Sequence, residues 1–217
     1  MSGCCGHDTK FDGVSDDYKR RLWIVIAINA AMFIVEMSAG RVAQSQALQA
    51  DALDFLGDAL TYGISLAVIG ASVRTRTNAA LAKGFSLLLM GGWVFGSTVY
   101  RIYSAQVPDA QVMGAIGALA LAANVASVLI LLRFKDGDAN VRSVWLCSRN
   151  DAIGNVAVMV AALGVWGSTS HWPDLIVAAL MASLFLTSAV QIVRQALSER
   201  RASVEVSSVL VGNRDRG

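Results

Sequence analysis

Leu48-Gln49-Ala50-Asp51-Ala52-Leu53-Asp54-Phe55-Leu56-Gly57-Asp58 sets three aspartates into an otherwise mostly apolar stretch that runs on without a charge to Val73. Its length suits a bilayer, whose hydrocarbon core of roughly 30 Å takes about 20 mostly apolar residues of helix. At the helical increment, Asp51 and Asp58 lie about 20° apart around the axis, with Asp54 about 60° away. All three therefore share one face. An ionised aspartate near the centre of a spanning helix costs roughly 2.5–3.5 kcal/mol on the insertion scale. One such residue could be neutralised by an internal ion pair. Three on one face predict a shared task inside the protein.

Working outward, five further segments have the length and apolar character of spans. The six run over about 21–40, 47–73, 81–103, 110–133, 141–168 and 173–197. No charge interrupts Leu87 to Tyr100 or Gln111 to Leu132. The chain is 55% hydrophobic and 16% charged, against roughly 25% charged in an average soluble domain. This composition predicts an all-α integral membrane protein and excludes a soluble catalytic domain. Short polar stretches separate the segments, namely 74–78, 107–109, 134–140 and 167–173, and these read as turns. The first apolar run begins near Leu22 after a polar N-terminus, so it reads as a retained helix and no cleavable leader is expected.

Basic residues orient the spans. With the N-terminus in the cytoplasm, fifteen of the 18 Lys and Arg fall on the inner side, Arg41 and Arg101 fall outside, and Arg149 falls within the fifth segment. That bias predicts six spans with both termini cytoplasmic. The domain plan is a cytoplasmic tail over 1–17, a six-helix membrane domain over 18–201, and a short frayed or disordered cytoplasmic tail over 202–217. A bacterial inner (plasma) membrane is the expected location.

The fifth segment carries its own set of polar residues. Cys147 and Asp151 repeat the one-turn spacing of Asp54 and Asp58, and Asn155 extends their stripe. If the two helices face each other, Asp54, Asp58, Cys147 and Asp151 supply four ligands. Zn²⁺ favours four ligands in a tetrahedron and accepts carboxylate and thiolate alike. An all-oxygen set would suit harder ions such as Mn²⁺. Cys147 could equally be a small buried hydrophobe. Asp51 reads as a vestibule residue beside the site, and Glu36 in the first segment either lines the outward path or snorkels toward the surface. Asn29 precedes Asp54 by 25 residues and Asn124 precedes Asp151 by 27, a faint repeat that fits the inverted halves of many transporters.

These two segments resemble the metal-binding helices of cation diffusion facilitators. The family pattern, His or Asp followed four residues later by Asp, matches Asp54 with Asp58 and Cys147 with Asp151. The resemblance extends over about residues 18–198. It implies export of divalent cations (Zn²⁺ above all, also Co²⁺, Cd²⁺, Mn²⁺ or Fe²⁺) from the cytoplasm by alternating access, usually in exchange for protons. The metal is then a transported substrate, and no cofactor is expected. Carboxylates in such a site take up protons as the metal leaves and release them as it binds, which suits the exchange. Two departures stand out. Cys147 occupies a position where His or Asp is usual, and Asn150, Asn155 or water could replace it as a ligand. Most members also carry a cytoplasmic C-terminal domain that dimerises, whereas fewer than twenty residues follow the last span here. A homodimer is still expected, with lipid, metal ions and protons as partners and no nucleic acid.

Other features are weaker. Cys4, Cys5, His7 and Asp8 could capture metal on the cytoplasmic side, but adjacent cysteines lack the spacing of a closed zinc site. His171 reads as solvated in an external turn. Gly92-Trp93-Val94-Phe95-Gly96 permits close helix approach. Trp23, Trp93, Trp166 and Trp172 suit interface belts or packing. An intramembrane aspartyl protease would need Gly two residues before Gly57, where Phe55 stands. No enzyme is expected. A proton-coupled exporter of small organic cations remains the alternative, although 7% aromatics is thin for its pocket.

Overall fold

The computed structural model describes residues 15–67, 73–104, 106–134 and 139–214, without the side chains of 73, 74, 76, 104, 139–150 and 199–214. Cys4, Cys5 and His7 lie outside the described residues. Six long helices follow one another: α1 (Asp16–Val42), α2 (Gln46–Ala67), α3 (Val73–Ser104), α4 (Ala110–Leu131), α5 (Ala139–Ser168) and α6 (Trp172–Arg214), with a 3₁₀ turn at Leu132–Phe134. The described residues form no strand. This is an all-α integral membrane protein. Among the described residues, five helices are long and apolar enough to cross a membrane. The exception is α2, whose three aspartates sit within one apolar length.

Capping residues set several helix starts. The Ser15 hydroxyl accepts from the Tyr18 amide and caps α1, and the Asp109 carboxylate accepts from the amides of Gln111 and Val112 at the start of α4. Such side chains satisfy amides that a helix start leaves without partners. Pro173 falls in the first turn of α6, where its missing N–H costs nothing.

α1 and α4 run antiparallel. Asp17 at the start of α1 pairs with Arg133 at the end of α4, 3.0 Å away, and Tyr18 packs edge-on against Phe134 with ring centroids 5.1 Å apart. At the opposite end, the Asp109 amide before α4 donates to the Ala43 carbonyl after α1 at 2.9 Å. α1 packs chiefly on α2, α4 on α5 and α3 on α6, and among the described residues α2 alone touches all five others. That central placement is how α2 keeps three acids away from lipid.

Close backbone approach follows from small residues, which drive helix association where lipid is as apolar as the side chains. A Cβ at Gly91 of α3 would sit 3.0 Å from Leu186 Cγ and from Phe185 Cβ of α6, and one at Gly84 would sit 2.7 Å from Val193 Cγ2. Gly92 and Gly96 meet nothing within 4 Å. The close contact on α3 thus uses Gly84 and Gly91, a different face from the glycine pair singled out in the sequence. Trp23, Trp93, Trp166 and Trp172 are all exposed, so none of them packs in the core.

Two sequence expectations change. The polar stretch 74–78 belongs to α3, because it holds no Gly or Pro and the helix extends beyond its apolar length. α6 continues to Arg214, so the backbone over 202–214 is helical. The His171 ring is half-buried and stacks on Trp172, with centroids 5.3 Å apart, rather than standing in solvent.

Candidate metal centre

On α1, Tyr18, Leu22, Val25, Asn29, Met32, Glu36 and Gly40 form one buried stripe at three- and four-residue spacing. That stripe faces α2 and α4. A Cβ at Gly40 would lie 3.0 Å from Gln49 Cγ and 3.1 Å from the Gln49 amide nitrogen, so glycine lets the α1–α2 corner close. The corner brings Glu36 beside Asp51. Both are buried, at 0% and 1% exposure. No N–H or hydroxyl reaches either oxygen of Glu36 among the described residues; what faces it is the carboxyl of Asp51.

Deeper along α2, Asp54 and Asp58 are half-buried. Asp151 of α5, also half-buried, lies within hydrogen-bonding reach of both. The structure thus brings Asp54, Asp58 and Asp151 together across the α2–α5 interface. They meet pairwise. Among the described residues no group of three or more His, Cys, Asp or Glu side chains is arranged to hold a metal ion. The side chains of Cys147, Arg149 and Asn150 lie outside the described residues. Asn155 is fully buried one turn beyond Asp151, and its Oδ1 accepts from Asn124 Nδ2 at 3.4 Å. Asn124 and Asn155 therefore tie α4 to α5 behind the acids.

Three supporting residues were not singled out from the sequence. Tyr62 is fully buried and donates its hydroxyl to Asp58 one turn earlier. Lys83 Nζ donates to Ser65 Oγ at 2.7 Å, joining α3 to α2. Asp174, in the first turn of α6, reaches the start of α2. Tyr62 carries a sequence signal, the four-residue spacing from Asp58; the other two depend on contacts distant in sequence.

The family model described as the cation efflux transmembrane domain matches residues 22–199. The chain belongs to the cation efflux family. This bears out the resemblance to the cation diffusion facilitators over most of the chain. Among curated relatives of this cation efflux chain is the metal cation efflux system protein CzcD of Cupriavidus metallidurans, 27% identical over 192 residues, covering 81% of this chain and 58% of that protein. The zinc transporter ZitB of Escherichia coli is 25% identical over 205 residues, covering 88% and 66%. A cadmium, cobalt and zinc/H(+)-K(+) antiporter of Bacillus velezensis is 22% identical, covering 88% and 65%. The chain thus spans less than two thirds of the length of these relatives. All three are named for metal ions, and the organic-cation alternative gains no support from them.

Proposed function

We propose that this cation efflux domain exports divalent transition-metal cations, Zn²⁺ foremost and Co²⁺, Cd²⁺, Mn²⁺ or Fe²⁺ besides, from the cytoplasm in exchange for protons. α2 serves as the sixth span, both termini lie in the cytoplasm, and the domain works as a homodimer in the bacterial plasma membrane. The observation that carries the proposal is the meeting of Asp54 and Asp58 on α2 with Asp151 on α5. Carboxyls that meet in pairs inside a bundle repel when ionised, and a dication or protons relieve that repulsion. The same oxygens then serve metal and proton in turn, because binding metal releases protons.

Cys147 supplies the fourth ligand in this proposal, with Asn150, Asn155 or water as the substitute, and Asp51 stands in the vestibule. Small side-chain movements close the pairwise carboxyl contacts around the ion. Alternating access exposes the cluster first inward and then outward. The names of the relatives agree with metal as the cargo.

Zn²⁺ titration of the purified protein in weakly buffered detergent solution tests this. Wild type should bind Zn²⁺ with release of protons, and Asp54→Asn, Asp58→Asn and Asp151→Asn should each weaken binding and reduce the release. Binding that survives unchanged in all three variants would remove the cluster from the mechanism.

A further inference from the structure

At the end of the bundle where α2 begins, Asp174 of α6 is 1% exposed. Its carboxylate accepts from the Ser45 hydroxyl at 2.6 Å, the Gln46 amide at 2.8 Å and the Ala47 amide at 3.0 Å. Ser45 Oγ accepts in turn from the Leu48 amide at 3.1 Å. A helix leaves its first four amides without partners inside the helix. Here three donors at the start of α2 are satisfied, two of them by a side chain from another helix. The carboxylate also faces the positive end of the α2 dipole, and Arg101 at the end of α3 attracts it.

Burial changes along α2 in the same sense. Between Gln46 and Leu53 every residue except Gln49 is buried, whereas Asp54, Leu56, Asp58 and Ala59 are only half-buried and Leu60 is exposed. Beyond Leu53, buried positions (Phe55, Gly57, Tyr62 and Ser65) alternate with half-buried ones. α2 is thus enclosed on more sides between the clasp and the acid cluster than beyond it, while Tyr62 still packs in a buried cluster with Tyr18, Leu22 and Phe134.

We infer that Asp174 is a positioning residue for transport: through Ser45 and the amides of Gln46 and Ala47 it latches α6 to the start of α2 and holds the outer side of the acid cluster shut. The inference rests on the transport proposal and its orientation, which make the clasp end the outer one. To open outward, α2 and α6 must part there. Water must then take over the Ser45 hydroxyl and the amides of Gln46 and Ala47, and hydrate the carboxylate. The latch favours the outward-closed state and yields only when water enters.

The test uses the full chain in right-side-out and inside-out vesicles with a membrane-impermeant maleimide. Cysteines are placed at Ala50→Cys, in the sealed stretch, and at Ala59→Cys, beyond Asp58; labelling of the native cysteines is subtracted. Asp174→Ala should raise labelling at position 50 from the outer face several-fold and lower labelling at position 59 from the inner face. Asp174→Asn, which keeps one acceptor oxygen, should fall between. Ser45→Ala should shift both sites in the same directions by less, and serves if Asp174→Ala does not fold. Equal rises at both positions would indicate a loosened fold and overturn the latch, as would no change at either. The labelling needs no metal flux. Flux insensitive to Asp54→Ala would sink the transport proposal and with it the latch's part in transport, while flux lost at Asp54→Ala with unchanged labelling would sink the latch alone.

Discussion

Tyr62, fully buried beside Tyr18, Leu22 and Leu131, donates its hydroxyl to the carboxylate of Asp58 one turn earlier on α2. The bond fixes which way that carboxylate points. Groups that orient a metal-binding carboxylate without touching the ion commonly matter about tenfold or more for affinity. Tyr62→Phe keeps the ring and its packing and removes only the donor. It should weaken Zn²⁺ binding roughly tenfold with thermal unfolding little changed, as calorimetric titration and a melting curve would show. Unaltered affinity would mean that Asp58 is held by other means.

The carboxyls of α2 and α5 act as one unit in this account, so their losses should not add. Removing Asp54 or Asp151 singly leaves an incomplete site, and removing both should cost little more than removing either. Residues that share partners typically couple by 0.5–3 kcal/mol, roughly. Zn²⁺ affinities of Asp54→Asn, Asp151→Asn and the double variant form the cycle. Fully additive losses would separate the two helices into independent sites.

Glycines on α3 offer a test of the packing. A side chain at Gly91 would meet Leu186 and Phe185 of α6, whereas one at Gly92 meets nothing within 4 Å. Overpacking a tight contact costs about 1–3 kcal/mol. Gly91→Val should therefore lower the unfolding temperature in detergent clearly, and Gly92→Val hardly at all. A larger loss at Gly92 than at Gly91 would point to an interface that the single chain does not contain.

Asn155 accepts from Asn124 in the buried seam between α4 and α5. Asn155→Leu would strand the Asn124 amide, at about 1–3 kcal/mol for a buried donor left without a partner. The expected result is reduced thermal stability, largely restored by a second change, Asn124→Leu, that removes the stranded donor. Failure of the second change to restore stability would show that Asn124 has another partner.

Much of the architecture was legible in the sequence because it rests on local patterns. The uncharged stretch 87–100 falls within α3 and 111–132 ends one residue past α4, and the register of Asp51, Asp54 and Asp58 puts the acids on one face independently of any packing. What stayed hidden is tertiary. The segment 74–78 is polar, yet it continues α3, since a polar stretch without Gly or Pro can leave the apolar layer as helix. Asp174 follows Pro173 in what reads as a turn, and its role depends on Ser45, 129 positions away. Spacing alone could place Asp151 on a stripe with Asn155, but only the fold brings it to Asp54 and Asp58.

Zn²⁺ uptake into proteoliposomes under an imposed pH gradient, with wild type beside Asp54→Ala and Asp151→Ala, tests the central claim most directly. Metal loading requires free carboxylates, so acid on the loading side should slow uptake and acid on the opposite side should speed it. The account predicts gradient-driven flux in wild type and none in either variant. Flux that ignores the gradient, or that persists undiminished in both variants, would contradict it.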